Sequence, residues 1–320
     1  MNPTQLRVVI MGASSGIGAA TAIAFARQGA HLVLGARGQD GLDDVVERCH
    51  AAGGQASAIT VDATDADAVS DFAYDARAIL GGIDLWFSNV GAGVVGKYAD
   101  VPIADHHRVI ETNLISHMND AHAVLPIFLE QDHGIWVNMI SSGGYVAAPY
   151  AAAYSASKFG LRGFSDALRA EVRDYPHIHI CDVYPTFVDT PAVYHAGNYT
   201  GARLTYPPGA LAPEKVADAV VKLARHPRAS TVIGMPATML KLGQFANPLA
   251  ATLMNRFMNR WSKRAESVPE TTGTMYTPPA GASGIHGGQR RAGGQRNTAL
   301  AVGAAVVGVA IAARLLSRRS

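Results

Sequence analysis

The sequence predicts an α/β protein built on a doubly wound parallel sheet of about seven strands, and three observations lead there. First, seven short apolar runs recur between Leu6 and Ile233: "LRVVIM", "HLVLGA", "ASAITV", "DLWFSN", "GIWVNMIS", "IHICDVYP" and "STVIG". Unbroken apolar runs of this length mark strands covered on both faces, as in parallel sheets. Second, the segments between the runs are Ala-rich and helically periodic, and each is long enough for the crossover that joins parallel strands. Third, the first run ends in a glycine-rich turn, "GASSGIG", that opens the first helical segment. In such sheets a ligand lies beyond the carboxyl ends of the strands. The residues considered below fall at those ends or on the helices that follow them.

Composition narrows the class. The chain has 320 residues, 48% of them hydrophobic and 16% charged, which excludes disorder as its main state. Its 33 glycines suit tight strand-to-helix turns. Two cysteines, Cys49 and Cys181, cannot build a disulfide framework and point to a reducing compartment. Twelve histidines are scattered, and His106, His107, His117 and His122 have no cysteine or carboxylate set to complete a metal site.

Three regions follow from these patterns. Residues 1–266 form the catalytic domain. Within it, Met235 to Glu266 read as an amphipathic basic helix: Leu249, Leu253, Phe257, Met254, Met258 and Trp261 lie on one side, and Arg256, Arg260, Lys263 and Arg264 on the other. Packing over the substrate side of the sheet and lying on a membrane surface are both open for it. Residues 267–297 are rich in glycine and lack carboxylates after Glu270, which predicts a flexible basic linker with a random-chain reach on the order of 30 Å. Residues 298–320 hold an uncharged stretch from Ala299 to Ala313, extended by Leu315 and Leu316, which predicts a short apolar tail helix anchoring the chain to a membrane. A buried or oligomer-forming helix is the alternative. The net charge of +2 divides unevenly, because six arginines follow Glu270 and no acid does, leaving residues 1–270 at −4. Those arginines are split by the apolar stretch and lack interleaved aromatics, so nucleic acid is not expected as a partner. The N-terminus has no charged segment leading into a long apolar one, so no signal peptide is expected, and the catalytic domain is placed in the cytoplasm.

Gly12, Gly16 and Gly18 stand in GxxxGxG spacing. Glycine allows the sharp turn and close approach of backbone to a pyrophosphate, whose charge a helix N-terminus stabilises. Farther on, Tyr154 and Lys158 are four residues apart within "YAAAYSASKFG", which puts a phenol and an amine on one helix face. A phenol with a pKa of about 10 is a poor proton carrier at neutral pH, and a neighbouring ammonium stabilises its anion.

With these residues the sequence resembles the short-chain dehydrogenase/reductase family over roughly Leu6 to Ile233. The motifs recur in the family's order: "GASSGIG", Asp62, "SNVG" (Ser88 to Gly91), Asn113, Ser141, then Tyr154 and Lys158. The 13-residue spacing from Ser141 to Tyr154 also fits, and selects Ser141 over Ser142. The resemblance implies a Rossmann-type fold and a catalytic set of Asn113, Ser141, Tyr154 and Lys158. Tyr154 would exchange a proton with the substrate oxygen, Ser141 would hydrogen-bond that oxygen, Lys158 would also hold the nicotinamide ribose, and Asn113 would hold a relay water. It further implies cofactor contacts at Gly12, Ser14, Ser15, Gly16, Ile17, Gly18, Arg37, Asp62, Asn89, Tyr154, Lys158, Pro185, Val188 and Thr190. Met11, Val90 and Thr186 depart from the family's usual residues. Ala36 stands where relatives that prefer NAD place an acid, and Arg37 follows it. A guanidinium suits a 2′-phosphate, so NADP(H) is favoured over NAD(H).

The expected activity is hydride transfer between NADP(H) and a carbonyl or secondary alcohol. Phe187 to Leu211 would cover the substrate with Tyr194, Tyr199 and Tyr206 and a single carboxylate, Asp189, which favours an apolar or lipid-like molecule. The alternative is a non-catalytic NADP(H)-binding sensor or scaffold, which would have no need of Ser141, Tyr154 and Lys158 together. The small-molecule substrate, the reaction direction and a homo-oligomer all stay open.

Overall fold

The computed structural model describes residues 5–206, 209–243 and 247–290. Strand β1 (Arg7–Met11) leads through the glycine turn into α1 (Gly16–Ala26). Then come β2 (His31–Ala36), α2 (Gln39–Ala51), β3 (Gln55–Thr60), α3 (Ala66–Leu80) and β4 (Leu85–Ser88). After a short strand, β5 (Val94–Val95), helix α4 (Ile103–Ile110) runs through a π-helical turn (Glu111–Ile115) into α5 (Ser116–Gln131). The second half holds β6 (Gly134–Met139), α6 (Ala152–Glu171), β7 (Ile178–Pro185), a short helix α7 (Ala192–His195), β8 (Gly197–Asn198), α8 (Pro213–Leu223) and β9 (Ser230–Ile233). Two further helices, α9 (Ala237–Gly243) and α10 (Asn247–Ser262), follow.

All seven apolar runs are strands of one sheet, ordered β3-β2-β1-β4-β6-β7-β9, and every pairing in it is parallel. Alternation within each strand divides the core into two layers. Val8, Ile10, Leu32, Leu34, Leu85 and Phe87 pack under α1, α2 and α8. Val9, Met11, Val33, Trp86 and Trp136 pack under α3, α5 and the end of α6. Phe87 is fully buried, so truncating it to Ala costs about 3–5 kcal/mol. Met11, one of the family departures, is simply a buried member of the second layer. The strand order reverses between β1 and β4, which opens the ligand crevice where their carboxyl ends diverge.

The largest departure from the sequence reading is the linker. Residues 267–290 are a bonded strap rather than a flexible chain. Asn198 and Thr271 exchange backbone hydrogen bonds at 2.7 and 3.1 Å, and Ala202 pairs with Ser267. Met275 and Ile285 are buried in two different hydrophobic clusters. A glycine-rich chain forgoes intrinsic order, but here its backbone groups find fixed protein partners, which serve it as a sheet or helix would. The remainder of the expected linker and the whole of the expected tail helix, 298–320, lie outside the described residues. Among the described residues no helix is long and apolar enough to cross a membrane.

The expected amphipathic helix is two helices. Leu240 of α9 is buried with Ile140, Tyr145, Leu161 and Tyr184, and the Tyr150 hydroxyl donates to Asn259 of α10 at 2.7 Å, so both helices adjoin the loop after β6. Met254 and Phe257 of α10 nevertheless remain 42% and 59% exposed, so packing over the sheet accounts for only part of the apolar face.

Candidate active site

The glycine turn is built for close approach. A Cβ at Gly18 would lie 2.1 Å from the Gly12 carbonyl oxygen, and one at Gly12 would lie 3.0 Å from the backbone of Asn89. Gly12 and Gly16 also have positive φ, 81° and 54°. The Asn89 side chain donates to the Gly12 carbonyl at 3.1 Å, joining the end of β4 to this turn. Ser15 stands at the N-cap of α1 but makes no side-chain cap, and Ser14 packs against Gly41 of α2. Among the described residues the first-turn amides of Ile17 and Gly18 have no acceptor, whereas the Gly16 amide donates to the Gly284 carbonyl of the strap. A helix N-terminus with free amides beside a backbone cradle that no Cβ could enter fits a dinucleotide pyrophosphate.

At the end of β2, Arg37 reaches across to the strap, donating to the carbonyls of Thr274 at 2.8 Å and Met275 at 3.0 Å. Burial lowers its pKa, opposed by Asp62, and Arg108 lowers it further. Asp62, after β3, accepts from the Thr64 amide and hydroxyl and pairs with Arg108 at 3.4 Å. Burial works against the Asp62 carboxylate, but the Thr64 bonds and the two guanidiniums outweigh it and hold its pKa below the ordinary value.

The catalytic candidates converge on the ends of β4 and β6. Ser141 follows β6 with φ 138° and ψ 159°, a conformation non-glycine residues rarely take, at a cost of about 1–3 kcal/mol. Its oxygen accepts the Gly143 amide at 3.1 Å, and Oγ and the Tyr154 ring both adjoin Gly143, 3.5 and 3.1 Å from where a Cβ there would stand, so the hydroxyl eases ionisation of the Tyr154 phenol. Tyr154 and Lys158 share one face of α6, with the amine 5.9 Å from the ring centroid. Asn113 sits in the π-helical turn, where one extra residue per turn swings its amide toward the strand ends. Its oxygen accepts the Ala92 amide at 2.7 Å, and its nitrogen donates to the Ala92 carbonyl at 2.8 Å and to Ser157 at 3.3 Å.

Electrostatics here differ from the simple expectation of an ammonium beside a phenol. Burial pushes the Tyr154 phenol up, and only Ser141 opposes it. Burial also pushes the Lys158 amine down to about 7, while the amine donates to the Met139 carbonyl at 3.2 Å. The phenol therefore rests neutral, while the amine passes between its charged and neutral forms near pH 7. His117, fully buried between Asn138 and the Val90 carbonyl, is held neutral by burial and by Lys158, which bring it to about 3.

Pro185 ends β7. Beyond it Val188 is buried and pairs with Leu211, and the Thr190 side chain packs 3.2 Å from where a Gly16 Cβ would stand. The expected residues thus stand at or just beyond the carboxyl ends of the strands, or on the helical segments that follow them, from Arg37 past the glycine turn to Tyr154. The matched family model, short chain dehydrogenase, covers residues 7–198. The chain belongs to the short-chain dehydrogenase family. Among its relatives is the ketoacyl reductase HetN of a Nostoc species, 31% identical over 276 residues that cover 82% of this chain and 94% of the relative. Dehydrogenase/reductase SDR family member 7B of Xenopus laevis is 29% identical, covering 80% of this chain and 82% of that one. Among solved structures, an alcohol dehydrogenase from the archaeon Thermococcus sibiricus, complexed with 5-hydroxy-NADP, superposes with a TM-score of 0.63 at 26% identity, covering 72% of this chain and 96% of that one.

Two residues of this short-chain dehydrogenase, Arg108 and Ser157, were not singled out from sequence, and two named only as cover for the substrate, Tyr206 and Asp189, take definite partners. Arg108 bonds Asp62, Thr64 and the Met275 carbonyl. Ser157 supports Asn113. Tyr206 pairs with Phe187, its ring 6.4 Å away, and lies near enough to Tyr154 for their charges to interact. Asp189 does not face the substrate side as its place in the covering segment suggested: its carboxylate accepts the backbone amides of Gln289 and Arg290. Of the two unnamed residues, only Ser157, one turn from Tyr154 and beside Lys158 on α6, had a readable signal.

Proposed function

We propose that this short-chain dehydrogenase/reductase transfers a hydride between NADP(H) and the carbonyl or secondary alcohol of an apolar, lipid-like substrate. The observation that carries this reading is the placement of Ser141 beside Tyr154, with Lys158 one turn on, at strand ends next to a glycine turn whose backbone no Cβ could enter. When bound, the nicotinamide supplies the hydride chemistry. Tyr154 exchanges the proton at the substrate oxygen. Ser141 donates a second hydrogen bond to that oxygen and steadies the charge developing there, from a backbone already strained into place. Lys158 biases the phenol toward its anion when protonated, and a pKa near 7 lets it take up or release a proton at working pH. Asn113, fixed by Ala92 and Ser157, holds the segment between β4 and α6 at the spacing a relay water needs.

Preference for NADP(H) is supported by Arg37 and Arg108, two cations that face one space with Asp62 offsetting one of them, and by Ala36 at the end of β2. It gains weight from the structural neighbour, whose bound ligand is an NADP derivative. Carbonyl or alcohol chemistry is in keeping with relatives named as a ketoacyl reductase and an alcohol dehydrogenase. For the substrate, the support is the Phe187–Tyr206 pair over the catalytic end, together with Asp189, the covering segment's single carboxylate, engaged elsewhere. We further propose that the chain associates with a membrane, on the support of the apolar run Ala299 to Leu316 and the absence of any acidic residue from Ala219 to Ala265 beside eight Lys and Arg. A panel of medium- and long-chain ketones, with NADPH consumption as the readout, tests the reading. No turnover on any apolar ketone or alcohol with either cofactor would overturn it.

A further inference from the structure

The strap crosses three of the loops that form the crevice, at residues the fold reserves for a dinucleotide. Near the end of β2 its Thr274 and Met275 carbonyls take the two terminal nitrogens of Arg37, and Met275 also accepts from Arg108. Tyr276 is latched to Asp105 on α4 at 2.7 Å, and Pro278 lies against Gly38. At the glycine turn, the Gly284 carbonyl accepts the Gly16 amide at 3.0 Å, with Ile285 buried beside it and His286 paired with Glu214 of α8 at 2.7 Å. At the loop after β7, Gly287, Gln289 and Arg290 donate their amides to Asp189, and the Tyr194 hydroxyl donates to the Gly287 carbonyl.

We propose that residues 271–290 form a third wall of the dinucleotide site, positioning Arg37 through the Thr274 and Met275 carbonyls, so that the cofactor enters and leaves only when the strap lifts. This rests on the reading of the site as an NADP(H) crevice. The strap is a wall and not a surrogate ligand, because it takes the Gly16 amide and leaves those of Ile17 and Gly18 to an anion. A wall of this kind also orders Arg37 beforehand: a free arginine would lose rotamer freedom on meeting a phosphate, and one already tethered loses less. The strap differs from a structural tie in one respect. Its attachment points are the cofactor loops themselves, so its opening and the opening of the crevice are one motion.

A reversible lock tests this in the full chain. A Cβ built at Gly38 lies 3.2 Å from the Cβ of Pro278, close to the separation a disulfide spans, and the backbone at Gly38 (φ −103°, ψ 118°) accepts any residue. The double variant Gly38→Cys/Pro278→Cys would be oxidised with glutathione disulfide, with NADPH release followed by fluorescence on displacement by excess NADP+. The native cysteines do not interfere, being buried with thiols pushed up to about 12 at Cys49 and about 11 at Cys181. The expected result is release at least tenfold slower in the oxidised protein and restored by dithiothreitol. Equal rates in both states would overturn the proposal. So would loss, on adding the oxidant, of NADPH already bound, since strap and cofactor would then compete for one space. Failure to bind NADPH or NADH in either state would remove the cofactor reading, and the proposal with it. Should the crosslink not form, Tyr276→Phe unlatches the strap from Asp105 alone and is expected to speed release two- to fivefold, and an unchanged rate there counts against the wall.

Discussion

The two ends of the crevice are built by opposite means. At the catalytic end the scaffold is sheet and helix, the side chains are buried, and burial sets their protonation: Tyr154 is pushed up, Lys158 pushed down to about 7. At the far end the Asp62 carboxylate is stabilised by the Thr64 bonds and by Arg108 and Arg37, and Arg37 donates to backbone carbonyls lent by a chain segment more than 200 residues away. On the proposed reading of the site, the difference separates two tasks. Proton transfer needs groups whose charge can change, so it is served by desolvation. Holding a phosphate needs charges that do not change, so it is served by partners.

The comparison is tested most severely by Tyr154→Phe. It removes the proton carrier while leaving a ring that still packs, so turnover should fall by about 10³-fold, the scale of a lost acid–base group, with NADPH affinity within about threefold of the parent. Steady-state rates and fluorescence titration measure the two quantities. Activity within tenfold of the parent on the same substrate would remove Tyr154 from the mechanism and make the catalytic end merely structural.

Arg37→Asp tests the other end. It replaces a cation with a carboxylate beside the expected phosphate and deprives the Thr274 and Met275 carbonyls of a donor. NADPH should weaken by about 10- to 100-fold and NADH by much less, on the scale of a lost charge-assisted hydrogen bond plus a new repulsion. Equal losses for both cofactors would show that Arg37 acts only by holding the strap.

These two ends were not equally legible in the sequence. The seven strands were, because strands covered on both faces leave unbroken apolar runs. So was the pairing of Tyr154 with Lys158, because their spacing of four puts them on one face of α6. The adenosine end was legible only in part: Arg37 and Asp62 follow strand ends, but Arg108 acts from α4 and is brought to Asp62 by tertiary packing. The strap was misread because glycine content speaks of backbone freedom and says nothing of where the backbone's donors and acceptors go. Its signal was present in Met275, Tyr276 and Ile285, three large apolar residues in an otherwise small and polar stretch. The π-helical turn at Asn113 left no mark on the pattern at all.

Lys158 permits a smaller measurement of the burial side of the comparison. Its amine has an ordinary pKa of 10.5 and is brought down to about 7 in the fold, so between those values the unfolded chain carries a proton that the folded chain lacks. Stability therefore rises with pH across that window. Lys158→Met should flatten the rise, leaving the variant relatively more stable at pH 7 than at pH 9.5 when each is compared with the parent. Urea midpoints at the two values give the answer, and an unchanged slope would mean that Lys158 is solvated and charged.

The smallest effect on activity is expected from removing the tail. A chain ending at Gln295 keeps the strap through Arg290 and loses Ala299 to Leu316, so NADPH affinity and turnover should stay within about twofold of the full chain, since the bonds of residues 271–290 to the cofactor loops are kept. Its distribution should change: if the apolar stretch anchors the protein, the full chain sediments with membranes and needs detergent, while the shortened one stays in the supernatant. A chain ending at Glu270 makes the contrast, because it loses the partners of Arg37, Gly16 and Asp189 together and should lose NADPH affinity whatever its distribution. If both shortened chains behave alike towards the cofactor, the strap contributes nothing to the crevice and the division between the two ends fails. If the chain ending at Gln295 alone unfolds, the apolar stretch is a packing element of the fold, and the anchoring reading falls.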